Sequence, residues 1–155
     1  MHPRRIPKMV FVLVPDDGSK VDRQVIQAAQ RACRVAHQMD FWPVSPLLYG
    51  LGYLSPGEYS MELRDLSRRW LRRCDRIWLL FPDQDAADLD ALTYEVLDGN
   101  QQLGHSRYGV GRRPVYQLVS TGDEKNGLVP MAVGRDGVRQ LLNVNLTAGL
   151  TARCM

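Results

Sequence analysis

Apolar residues along this chain fall into short blocks separated by two kinds of spacing. Met9-Val10-Phe11-Val12-Leu13-Val14 is a continuous run, the pattern of a strand covered on both faces. Phe41 to Ser45, Ile77 to Phe81 and Pro114 to Val119 read as three more strands, and Val129 to Val133 as a fifth. Pro43 argues that the second strand lies at a sheet edge. Between the strands the period changes to that of a helix. Val25, Ala28, Ala29, Ala32, Cys33, Ala36 and Met39 form one stripe, with Ser19 and Asp22 as a weak capping pair ahead of it. Tyr59, Leu63, Leu66 and Trp70 form another, in a helix predicted from about Gly57 to Arg73. A third helix carries Glu95 near its start, and a short one is expected over Val138 to Leu146. Pro46 to Pro56, with Gly50 and Gly52, reads as a mobile loop. The order βαβαβαβ predicts right-handed crossovers. The expected fold is therefore α/β: a doubly wound, flavodoxin- or Rossmann-like parallel sheet of four or five strands with helices on both faces.

Composition narrows this little. The chain has 155 residues, 45% hydrophobic and 24% charged, with a net charge of +3, which suits one domain with a real core. That charge does not by itself argue for nucleic acid. Cys33, Cys74 and Cys154 form no CxxC pair, and His2, His37 and His105 have no ligand spacing, so neither a disulfide framework nor a metal site is expected. The basic start MHPRRIPK runs into only six apolar residues before Pro15-Asp16-Asp17, so it reads as a strand rather than a signal segment. No apolar run approaches the length of a membrane span, and the cytoplasm is the expected compartment.

Candidate chemistry concentrates between Cys74 and Gly104. The strand ending at Phe81 is followed by Asp83, Asp85, Asp88 and Asp90, then by the helix holding Tyr94 and Glu95. An open α/β sheet places its ligand in the crevice at the carboxyl ends of its strands, where this acidic loop should lie. Asp88 and Asp90 serve equally well as helix caps, and Glu95 as an ordinary first-turn acid favoured by the macrodipole. Asp16, Asp17 and Gly18, after Pro15, could line a sugar or phosphate site or form a plain turn. Gly18-Ser19-Lys20 lacks the spacing of a P-loop. Arg64, Arg68, Arg69, Arg72 and Arg73 read as a solvated helix face with pairs such as Asp65 and Arg69. Their alternative, a nucleic-acid stripe joined by the basic loop His105 to Arg113, lacks the interleaved aromatic residues that stacking needs.

Four motifs carry a resemblance. They are the opening strand ending in Pro15, Trp42-Pro43-Val44-Ser45-Pro46, Leu71-x-x-Cys74-Asp75-x-Ile77-Trp78, and Glu95-Val96 with Gly99 and Gly104 beyond. In order and spacing they resemble the nucleoside 2-deoxyribosyltransferase-like superfamily over roughly residues 9 to 119, leaving 120 to 155 as a C-terminal extension of a single domain. The resemblance implies a nucleoside or nucleotide N-glycosidase or deoxyribosyltransferase. Glu95 would attack the anomeric carbon, and Asp88 or Asp90 would protonate the departing base. Pro15, Asp16, Asp17, Gly18, Ser45, Pro46 and Tyr94 would line the substrate site. It also implies a homodimer or larger homo-oligomer, with no cofactor. Asp75 lies at the far end of its strand and is expected to be structural.

Two departures favour another reading. Ala91 replaces the glycine of the family's turn ahead of the glutamate, and Phe11 replaces a tyrosine that steers it. A non-catalytic nucleotide-binding or sensing module of the same fold fits these changes. In both readings the partner is a small nucleoside or nucleotide, and neither a membrane nor nucleic acid is expected.

Overall fold

The computed structural model describes residues 8–15, 23–53, 59–81, 89–104, 111–122 and 127–153. Five strands form one sheet: β1 (Lys8–Leu13), β2 (Phe41–Val44), β3 (Arg76–Leu79), β4 (Val115–Ser120) and β5 (Leu128–Val133), in the order β2-β1-β3-β4-β5. β1 to β4 are parallel, while β5 runs antiparallel to β4. The helices are α1 (Arg23–Gln38), α2 (Pro46–Tyr53), α3 (Tyr59–Leu71), α4 (Ala91–Gln102) and α5 (Arg135–Arg153). This is the expected doubly wound α/β architecture, with β2 at an edge as Pro43 implied.

The continuous apolar runs are explained by alternation across the sheet. Val10, Val12, Val14, Trp78 and Leu80 turn to one face, where Val25, Ala29, Ala32, Val35 and Ala36 of α1 cover them. Phe11, Leu13, Ile77, Leu79 and Phe81 turn to the other, against Val96 and Leu97 of α4 and Val138 and Leu142 of α5. Each wholly buried Leu or Val on these faces contributes on the order of 2 kcal/mol. The alanines of α1 let its axis approach the strands closely.

Three expectations need correction. Pro46 to Pro56 is not a loop throughout, because Pro46–Tyr53 is helical. Ser45 Oγ accepts a hydrogen bond from the Leu48 N–H at 3.3 Å, and Pro46 follows it at the first helical position, where its missing N–H costs nothing. The last helix is not short, since α5 spans Arg135–Arg153. Nor is the sheet parallel throughout, because β5, the expected fifth strand, pairs antiparallel with β4. β5 completes the sheet, and Val138 and Leu142 join the core. Only a seven-residue connection, 121–127, separates β4 from β5, too short for a crossover, so β5 must turn back. Gly122 supplies the positive φ of 78° in that turn.

The antiparallel ladder also fixes which atoms of β5 face outward. Thr121 N–H donates to Gly127 O, and bonded pairs alternate, so Val119–Val129 and Gln117–Met131 are the bonded pairs. Pro130, opposite Leu118, therefore turns its ring nitrogen to the open edge.

Candidate functional site

The sheet order reverses between β1 and β3, and the crevice of a doubly wound sheet opens there, outside the strands' carboxyl ends. The described residues at this place are Val14 and Pro15 after β1, Ser45 and Pro46 after β2, Leu80 and Phe81 after β3, and Leu89 to Tyr94 at the start of α4. Pairing continues past the strand end, since Leu80 N–H donates to Leu13 O at 3.0 Å. Leu89 is fixed by its N–H, which donates to Asn145 Oδ1 of α5 at 2.8 Å. Asn145 Nδ2 in turn donates to Leu141 O at 2.9 Å, so α5 sets where α4 begins.

Asp90 occupies the N-cap position of α4 with extended backbone and makes no side-chain capping bond. It is half-buried, as is Tyr94, which packs against the cluster around Leu97. Pro15 and Pro46 are buried, and Ser45 is half-buried with its hydroxyl engaged in starting α2. Asp16, Asp17, Gly18 and Asp88 lie outside the described residues.

Glu95 lies in the first half of α4, as expected, and is exposed. The buried face of α4 consists of Thr93 and Asn100, each 1% exposed, with Val96 and Leu97 between them. Glu95 is two residues on from Thr93, about 200° round the helix, and it is exposed. Phe11, in the position where the resembled family has its tyrosine, is completely buried. Among the described residues no group of three or more His, Cys, Asp or Glu could hold a metal ion, and no helix among them is long and apolar enough to cross a membrane.

The opposite, amino end of the sheet is held by polar groups that sequence reading largely missed. Asn100 Nδ2 donates to Arg113 O at 3.0 Å, and Arg113 N–H donates to Asn100 Oδ1 at 2.8 Å. The Arg113 side chain donates through Nε to Cys74 O at 2.7 Å, through Nη2 to Arg72 O at 2.9 Å and through Nη1 to Gly111 O. One arginine thus joins the end of α4, the α3–β3 turn and the start of β4. Asp75 closes the set. Its Oδ2 accepts from Met9 N–H at 3.0 Å, and its own N–H donates to Met9 O at 2.9 Å, the structural role expected for it. Arg76 lies with its guanidinium 4.5 Å from the Phe41 ring centroid and 5.6 Å from that of Tyr116.

Burial pushes the Cys33 thiol up to about 11. It pushes Cys74 up to about 12, helped by the Asp75 charge and opposed by Arg113. Both are protonated at neutral pH, so neither serves as a nucleophile.

Charge divides along the same axis. The segments 14–22, 80–90 and 121–127, which leave the carboxyl ends of strands, carry nine carboxylates and two lysines. The described residues of 39–40, 72–76 and 111–114, at the amino end, carry five arginines and two aspartates. No protein-family model, curated protein or solved structure gives a significant match to this chain.

Proposed function

We propose that this protein is a nucleoside-binding or sensing module that works without catalysis, taking its ligand at the crevice between the carboxyl ends of β1 and β3. The observation that carries this reading is the outward position of Glu95 beside a crevice built at a topological switch point. The four-motif resemblance supplies the ligand class. Charge selects within that class: the connections around the crevice are strongly acidic in sequence and would repel a phosphate, so an uncharged nucleoside suits them better than a nucleotide. Tyr94, half-buried at the described rim, offers a ring for a base.

Thermal unfolding in the presence of nucleosides and nucleoside monophosphates, followed by chromatography for free base, tests it. At a nucleoside concentration of about 100 times Kd the melting temperature should rise by roughly 5–10 °C. Monophosphates should give a smaller rise, and no free base should form. Base release that disappears in Glu95→Ala would replace this reading with the N-glycosidase or deoxyribosyltransferase one. Absence of any shift at millimolar nucleoside would remove the ligand class.

A further inference from the structure

At the amino end of the sheet, four arginines of α3 and its following turn, Arg68, Arg69, Arg72 and Arg73, are all exposed. Among the described residues none of them pairs with a carboxylate, so the expected Asp65–Arg69 pair is not formed. Their backbone is fixed, because the carbonyls of Arg72 and Cys74 are both held by Arg113. The guanidinium groups are therefore presented from a rigid base into solvent.

The aromatic group that the arginine stripe lacks in sequence is supplied by the fold. Trp42 is 58% exposed on the edge strand β2. Its register partner is Met9, and Met9 is bonded through its backbone to Asp75 in the α3–β3 turn. Two strand spacings, about 10 Å, thus separate the backbone of Trp42 from that of Asp75, two residues on from Arg73. Trp42 also lies on the α3 side of the sheet. It is two residues from Val44, which packs with Trp70 and Leu71 of α3 in one cluster. An uncovered indole on a sheet edge leaves apolar area in water that a partner would remove.

From this juxtaposition we infer a second binding surface, independent of the crevice, at which single-stranded nucleic acid docks with its phosphates on Arg68, Arg69, Arg72 and Arg73 and a base stacked on Trp42. The chemistry is specific in two respects. The cations are all arginines, whose planar fork grips phosphate oxygens in pairs. The aromatic is an accessible indole near them, which an unpaired base can reach and a base within a duplex cannot. Net charge does not reveal such a surface, because the acidic carboxyl end offsets the basic amino end in the sum.

Fluorescence anisotropy with a labelled, mixed-sequence single strand of about 16 nucleotides tests the inference on the full chain. The single strand should bind more tightly than a duplex of equal length, and binding should quench indole emission. Trp42→Ala should weaken single-strand affinity about tenfold, with Trp42→Phe retaining most of it. The double substitution Arg72→Ala, Arg73→Ala should lower the magnitude of the log–log salt slope by about 1.4. Arg23→Ala, on α1 at the other end of the sheet, should change nothing. The inference is overturned by equal binding of duplex and single strand, by indifference to Trp42→Ala or to loss of the two arginines, or by no binding at about 50 mM salt. Binding to anionic phospholipid vesicles with none to the oligonucleotide would equally overturn it.

Discussion

At the amino end of the sheet, Asn100, Arg113 and Asp75 tie the end of α4, the α3–β3 turn and the starts of β1 and β4 together through backbone groups. At the carboxyl end, the bond from Leu89 to Asn145 links the start of α4 to α5. One end is clamped by many short bonds to main-chain atoms. The other opens into connections whose sequence is rich in carboxylates. In a doubly wound sheet this division has a physical logic. Connections at the carboxyl end have to shape a ligand, so the bonds that define the fold gather where no ligand is expected. Here the clamped end also carries exposed arginines and a tryptophan, so rigidity and an accessible charged surface occur together.

Substitutions can break or sharpen that contrast. The largest effect should come from Asn100→Ala, which empties a buried site and strands a part-buried N–H and a part-buried carbonyl of Arg113. A loss of about 3 kcal/mol in urea unfolding is expected. Asn145→Ala removes the corresponding link at the carboxyl end and should cost about 1.5 kcal/mol by the same measurement. Equal losses for the two would erase the distinction between the ends. Asp75→Ala frees the Met9 N–H at an exposed position and should cost about 1 kcal/mol.

The direction of change reverses at Asp40, which takes the left-handed conformation at φ 62° after α1. Glycine is the unstrained residue there, so Asp40→Gly should stabilise the protein by about 0.5 kcal/mol. A loss instead would mean that the aspartate side chain contributes to the turn. A pH effect should be visible at the clamped end too. The thiol of Cys74 has a higher pKa folded, about 12, than the ordinary thiol value of 9.0, so the folded state holds its proton more firmly. Its contribution is complete below pH 9 and is lost as pH rises from there toward 12. Melting temperatures at pH 8 and pH 10 should therefore fall further apart in the wild-type protein than in Cys74→Ala.

The strands were legible because continuous apolar runs have few alternatives in a chain of this size, and Pro43 marked the edge. α2 was hidden by its own start signal. Ser45-Pro46 is a cap followed by a first-turn proline, but with Gly50 and Gly52 beyond it the stretch reads as a loop. The direction of β5 could have been deduced, since the connection after Ser120 cannot hold a crossover. The rotation of α4 was illegible for a subtler reason. The buried face of α4 includes Thr93 and Asn100, so a hydrophobic period cannot set the rotation of the helix, and the motif alone suggested which way the glutamate pointed. The clamp around Arg113 was illegible because its partners are carbonyl oxygens, which every residue possesses.

Pro130 has a consequence for how copies of this protein could meet. With no hydrogen on the nitrogen it presents outward, β5 cannot offer an unbroken row of donors to a neighbouring chain. Growth of the sheet sideways is interrupted in the middle of that strand, so if the chain self-associates on that side it must do so by burying side chains rather than by sharing a ladder. Pro130→Val would restore the missing donor and turn a quiet border into a template for strand addition.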